Sequence, residues 1–342
     1  MINRLVWMET DNTYPYRNLA MEEYMTLHVP QGTCILYLWQ NRHTVVIGKN
    51  QNCWRECRVN FLEQEDGYLV RRLSGGGAVF HDLGNLNFTF IVGAGDYDVS
   101  RQLDVILEAV RSLGIHAEKT GRNDITVDGR KFSGNAFYRT GDGCYHHGTI
   151  LIRADKENMS RYLNVSKEKL ASKGVTSVKS RVANLCEFKP DITLEEVKSA
   201  LVKAFSKVYG QPAVRMEEGE LPQPDIDART EKFASWQWKY GRKIPFEYEM
   251  EKRFPWGNIQ IQFHVDEGMI QDVNVFSDAM DQEMIGMLAE QLKGCAYAEE
   301  DICRAVKAVG TDAFQAGEYT GADEPQSCRI KEDIMTLVRE SL

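Results

Sequence analysis

No apolar run among the 342 residues approaches the length needed to span a bilayer, so a membrane segment is excluded. The start, Met1-Ile2-Asn3-Arg4, lacks the long apolar stretch of a secretory leader, and a cytoplasmic protein is expected. The eight cysteines form no zinc pattern: Cys53 and Cys57 are four apart and the rest are scattered. Free, mostly buried thiols in a reducing compartment are the expectation. Internal repeats and low-complexity tracts are missing. So is a broad basic face. The net charge is −9, and Trp256 to Leu342 alone holds 17 Asp/Glu against 6 Lys/Arg, which leaves residues 1–255 at about +2. That balance argues against nucleic acid as a partner.

What the chain does have is concentrated in Arg71-Arg72-Leu73-Ser74-Gly75-Gly76-Gly77-Ala78-Val79-Phe80-His81-Asp82. Two arginines end an apolar run, and three glycines follow. Consecutive glycines cost backbone entropy, but they let bare N–H groups approach a ligand, and flanking arginines make that ligand an anion. A plain strand-to-strand turn is the alternative for the glycines alone. The Gly-Lys-Ser/Thr ending of a P-loop is absent, as is the G-x-G-x-x-G of a dinucleotide fold.

Around this stretch the pattern predicts strands at 34–39, 44–48 and 85–92 and an amphipathic helix over 100–113 with Ser100 as its cap. Asp128-Gly129 between two β-type runs predicts a two-residue hairpin, pairing 127 with 130, 126 with 131 and 124 with 133. Asp124, Thr126, Lys131 and Ser133 then share one face, with Lys131 diagonal to Asp124. A further strand is expected at 148–153, and a helix over 191–209 with Thr193 and Glu196 in a capping box. Residues 211–224 read as an irregular connection. Trp236, Trp238 and Tyr240 read as core of a first domain. Residues 153–181 are basic, with 8 Lys/Arg against 3 Asp/Glu. They read as a solvated face, an adenylate-binding loop or a docking site for an acidic partner. A boundary is expected at Phe254-Pro255, followed by strands at 258–265 and 269–276 and helices near 281–292 and 297–308.

Five blocks in order carry a resemblance. They are Val45–Asn52; Arg71–Asn87; Gly121-Arg122-Asn123-Asp124-Ile125 with Lys131–Ala136; His146-His147-Gly148-Thr149; and Lys173–Val182. Together they resemble the lipoate–protein ligases, in the long bacterial form with a C-terminal accessory domain. The resemblance implies an α+β fold of the biotin/lipoate ligase type. A mixed β-sheet catalytic domain flanked by helices would occupy residues 1–253, and a small α/β domain residues 254–342. It implies that lipoate and ATP give lipoyl-AMP and pyrophosphate, with Mg²⁺. The acyl group then passes to a lysine of a lipoyl domain, in 2-oxoacid dehydrogenase complexes or the glycine cleavage H protein. A monomer is expected.

By the same resemblance Lys131 is the catalytic lysine, touching both the lipoate carboxylate and the α-phosphate. Arg72, Gly77, Ala78, Val79, Phe80, Asn123 and Asp124 would bind ATP or the adenylate. Asp124 either holds Mg²⁺, orients Lys131 or is a plain cross-strand partner. Gly75, Gly76, His81 and His147 join Lys131 at lipoate, the histidines as pocket walls or hydrogen-bond donors. Val46, Phe80, Phe88 and Phe137 are candidates for a greasy slot, and core packing explains them equally well. Two other readings stay open. One is an octanoyltransferase of the same fold with a cysteine nucleophile, for which Cys144 and Cys186 lie near matching motifs. The other is a non-catalytic lipoyl-domain binder. A biotin ligase is disfavoured because its Gly-Arg-Gly-Arg signature is missing.

Overall fold

The computed structural model describes residues 1–120, 124–164, 181–310 and 326–342. In chain order the strands are β1 (Arg4–Glu9), β2 (Thr33–Trp39), β3 (Thr44–Ile47), β4 (Tyr68–Arg71), β5 (Val79–His81), β6 (Asn85–Gly93) and β7 (Glu118–Thr120). There follow β8 (Asp124–Val127), β9 (Arg130–Thr140), β10 (Gly143–Leu151), β11 (Ala213–Arg215), β12 (Tyr248–Phe254), β13 (Gly257–Asp266) and β14 (Met269–Ser277). The chain divides into two compact units: Met1–Val46, Trp54–Arg71 and Ala78–Lys239 in the first, and Ile47–Cys53, Arg72–Gly77 and Tyr240–Leu342 in the second. The boundary expected at Phe254-Pro255 falls at the end of β12, where the chain turns into the hairpin partner β13.

The first unit is built on an eight-stranded sheet in the order β11-β1-β2-β6-β10-β9-β8-β7. It is mixed: β1 runs parallel to β2 and β11, while the β2-β6-β10-β9 run is antiparallel. The expected α+β class, a mixed sheet with flanking helices, is what the chain adopts. Successive strand residues point to opposite faces, and the adjacent histidines of β10 mark the two layers. His146 faces Gln102 of the helix Val99–Ser112, whereas His147 faces Glu22 of the helix Pro15–Leu27. The core on the first face joins Leu36, Leu38, Phe88 and Phe90 to Val105, Ile106, Leu201 and Phe205 of two helices.

Local signals hold with some shifts. The Val99–Ser112 helix is capped by Asp98, which accepts from Arg101 N–H, rather than by Ser100. An ionised carboxylate at the helix start also answers the macrodipole, which a serine cannot. The Thr193/Glu196 capping box opens the helix Leu194–Tyr209 as expected, and Gly210 ends it at φ 72°. The strand expected at 148–153 is the end of β10, which begins five residues earlier at Gly143. Trp236 is 65 % exposed, against the expectation of core. Its helix Trp236–Tyr240 is five residues long and buries only Tyr240.

The second unit holds the antiparallel sheet β12-β13-β14. Its apolar face, including Ile259, Ile261 and Phe263, packs with Leu288, Val306 and Ile334 of the helices Gln282–Leu292, Glu299–Ala308 and Gln326–Ser341. The small C-terminal sheet domain is therefore present.

Candidate active site

The hairpin β8-β9 brings the central lysine and its carboxylate together. Asp128 and Gly129 both take positive φ, 50° and 71°, the geometry that Asp-Gly favours in a two-residue turn. Val127 pairs with Arg130 and Thr126 with Lys131, as expected. Beyond that the register slips: a bulge between Ile125 and Thr126 pairs Ile125 with Ser133 and Asp124 with Gly134. A bulge adds a residue to one strand and re-aims the side chains beside it. Here it sets Asp124 opposite a residue with no side chain. Lys131 uses the vacant space: a Cβ at Gly134 would lie 2.5 Å from the Lys131 Nζ. The ammonium crosses over Gly134 to within 2.6 Å of Asp124 Oδ1. Arg181 Nη2 donates to the other oxygen, Oδ2, at 2.9 Å. Burial pushes the Asp124 carboxyl up, but Lys131 and Arg181 outweigh it and hold the carboxyl below its ordinary range.

A second polar cluster lies on the same face of the sheet as Lys131, around the central strands. His147 Nδ1 donates to Glu22 Oε1 at 2.9 Å, and Thr89 Oγ1 donates to the same oxygen at 2.7 Å. Trp39 Nε1 donates to Thr89 Oγ1 at 3.0 Å. His81 meets the Trp39 ring edge-on at 6.4 Å, with its Nδ1 3.3 Å from Asn41 Nδ2. Of the two histidines expected at lipoate, His81 touches Trp39 and His147 is linked to it through Glu22 and Thr89. Phe88 and Phe137 do not join them; both rings pack against His146 on the other face, in the core. His146 is fully buried between Asn135 and Gln102, and burial, with the neighbouring His147, pushes its pKa down to about 3.

The two arginines diverge. Arg71, in the first unit, donates to the carbonyls of Trp238 at 2.9 Å and Lys239 at 2.8 Å, and Trp238 Nε1 returns a hydrogen bond to Arg71 O at 2.8 Å. Arg72, in the second unit, braces the glycine loop from within, donating to Gly75 O at 2.6 Å and Gly77 O at 2.9 Å. The glycines serve close backbone approach there. A Cβ at Gly75 would lie 2.4 Å from Ala279 O. Gly76, at φ 86°, donates its N–H to Ala279 O at 3.0 Å. Ala78 and Val79 lead into β5, and Phe80 lies buried against Tyr162 and His43. Gly121, Arg122, Asn123 and the stretch 173–180 lie outside the described residues.

Residues 14–206 match the family model described as the lipoyl protein ligase A/B catalytic domain, and residues 243–321 match the bacterial lipoate protein ligase C-terminus. The chain belongs to the lipoyl protein ligase family. Lipoate-protein ligase A of Psychrobacter cryohalolentis is 41% identical over 298 residues, 85% of this chain and 88% of that protein. The crystal structure of P. falciparum LipL1 in complex with lipoate is similar at a TM-score of 0.82 and 29% identity, over 97% of this chain and 99% of that one. A bipartite lipoate protein ligase of Thermoplasma acidophilum, analysed with its E2 lipoyl domain, is similar at a TM-score of 0.61 and 26% identity. That likeness covers 71% of this chain and 99% of the archaeal one.

Two residues of this ligase escaped the sequence reading. Glu22 sits beside Glu23 on a helix, a pair that reads as a solvated face, yet it is 1 % exposed. Its signal was the apolar company of Leu19, Ala20 and Met21. Gly134 was quoted within a motif, but its work is steric and becomes visible only with the bulge in place. The candidate nucleophile Cys144 lies in the core, and burial pushes its thiol up to about 11. A thiol held neutral at working pH is a poor nucleophile.

Proposed function

We propose that this ligase activates lipoate with ATP and transfers the lipoyl group to a lysine of a lipoyl-carrier domain, with Lys131 as the catalytic cation. The carboxylate oxygen of lipoate attacks the α-phosphorus of ATP; a C–O–P anhydride forms as the bond to pyrophosphate breaks. The acceptor amine then attacks the anhydride carbonyl, an amide forms, and AMP leaves. Both steps gather negative charge on oxygens that a preorganised cation stabilises. A compact ammonium on a flexible stem can serve the carboxylate and the α-phosphate in turn, which a planar guanidinium does less well. The observation that carries the reading is the Lys131 ammonium folded over Gly134 and held at 2.6 Å by Asp124.

The chain of lipoate is long and apolar, and we assign its far part to the Trp39 cluster, with His81 and His147 as walls. For Arg72, Gly75, Gly76 and the Gly77–Phe80 stretch, the roles at lipoate and nucleotide rest on the motif. The residues do not fit a protein-held Mg²⁺. Both Asp124 oxygens face cations, and the described residues contain no group of three His, Cys, Asp or Glu side chains set to hold a metal. Asp124 is given the lysine-holding role, and no step is routed through a metal. Acceptors of the 2-oxoacid dehydrogenase E2 and glycine cleavage H classes fit a reaction that ends on a domain lysine. The experiment is pyrophosphate release with ATP, Mg²⁺ and lipoate and no acceptor. Lipoate-dependent release supports the ligase; none, from folded protein, contradicts it. The cysteine-transferase reading gains nothing from a buried, neutral Cys144.

A further inference from the structure

We infer that Arg181 is a positioning residue for adenylation, acting by holding Asp124 so that Lys131 is free to leave it. The inference rests on the reading of Lys131 as the cation that meets the two substrate anions. Among the described residues three charges form the cluster, and the carboxylate lies between the cations. Lys131 takes Oδ1 at 2.6 Å and Arg181 takes Oδ2 at 2.9 Å, so the two do not compete for one oxygen. The main chain beside Arg181 is also stitched to the lysine. Val182 bridges Lys131 in parallel register, and Ala183 N–H donates to Lys131 O at 2.8 Å. Arg181 therefore keeps its place relative to the hairpin whatever the lysine side chain does.

These three described residues carry one net positive charge, which draws an anion toward them. When the lipoate carboxylate or the α-phosphate arrives, one cation has to turn to it. The ammonium reorients easily on its four-carbon stem, while the guanidinium keeps its fixed fork. Turning would strand a half-buried carboxylate without a countercharge, and such a charge is costly. Arg181 removes that cost by staying behind. Without it, Lys131 is the one cation among the described residues that is left on Asp124, which retains it, and the ammonium is withheld from substrate.

This mechanism predicts a rescue, which neither a purely structural arginine nor one that touches ATP would give. Lipoate-dependent pyrophosphate release is measured for the full-length wild type, Arg181→Ala, Arg181→Lys, Asp124→Asn and the Arg181→Ala/Asp124→Asn double variant, with circular dichroism to verify folding. Arg181→Ala is expected to lower kcat by roughly thirtyfold with the KM for ATP changed less than about threefold. The double variant is expected to run at least about fivefold faster than Arg181→Ala alone, because the carboxylate that traps the lysine is gone. Arg181→Lys, which keeps a cation at Asp124, is expected to lose less than about threefold, and it carries the test if the alanine variant fails to fold. A double variant no faster than Arg181→Ala, a raised KM for ATP, or equal losses in the lysine and alanine variants would each overturn the inference. Silence of the wild type itself would instead overturn the ligase reading, which keeps the two failures apart.

Discussion

The large sheet of the first unit carries two polar clusters of different character. Around Lys131 the side chains are partly open to solvent, at 21 % for Lys131, 18 % for Asp124 and 28 % for Arg181, two cations to one carboxylate among the described residues. Around Trp39 the groups are sealed: Glu22, Thr89 and Trp39 are buried, and a chain of hydrogen bonds runs from tryptophan to threonine to carboxylate, where histidine joins it. A partly open cluster of charges suits charge that appears and disappears during a reaction. A buried network joined by hydrogen bonds suits a wall. One sheet thus carries a partly open, charged cluster and a buried, hydrogen-bonded one that share no residues.

The comparison breaks most sharply at Lys131. Lys131→Ala is expected to cut lipoate-dependent pyrophosphate release by about a thousandfold or more while leaving unfolding in urea nearly unchanged. Near-normal release would remove the distinction between the clusters. Next comes Gly134→Ala, whose methyl would occupy the space of Nζ; we expect a roughly tenfold to hundredfold loss of kcat, read in the same assay. Glu22→Ala attacks the sealed cluster and should show the opposite balance. It is expected to lose about 2 kcal/mol of stability by leaving His147 and Thr89 without their acceptor, and to raise the KM for lipoate more than it lowers kcat.

His146 supplies an internal control, one residue from His147 but on the core face. Its native pKa lies near 3, below the ordinary histidine value, so the unfolded chain takes up a proton first as pH falls. Its contribution is whole above about pH 6.5 and is lost at up to ~1.4 kcal/mol per pH unit below that. Relative to wild type, His146→Phe should therefore lose less stability between pH 6.5 and 5, by about 2 kcal/mol in denaturant titrations. A gap that stays constant would mean that His146 is protonated in the fold. Cys144→Ser should change release by less than about twofold; a dead enzyme would return the nucleophile to that thiol.

Much of this was legible in the residues, because the information is local there. Asp128-Gly129 announces its turn, Thr193 and Glu196 announce a helix start, and alternation in Asn85–Val92 announces a strand, found as β6, although both of its faces are buried where one was expected open. The bulge at Ile125/Thr126 was not legible, since no residue type demands it; tertiary pairing sets the register beyond the turn. The partnership of Arg181 with Asp124 spans 57 positions and has no local signature. Glu22 was hidden for the same reason, its acceptor role being created by His147, 125 positions away. Arg71 is the last residue of β4 and Arg72 lies just past it, so strand alternation alone does not set where the two side chains point. Where each went depended on the carbonyls of Trp238, Lys239, Gly75 and Gly77.

The most direct test of the central claim is to detect the intermediate itself. Wild type and Lys131→Ala are each mixed with ATP, Mg²⁺ and lipoate, with no acceptor, quenched in acid and assayed for lipoyl-AMP. The account predicts adenylate at about one per wild-type enzyme and none above background in the variant. Adenylate formed by the variant at the wild-type rate, or lipoate recovered as a thioester on the protein, would contradict it.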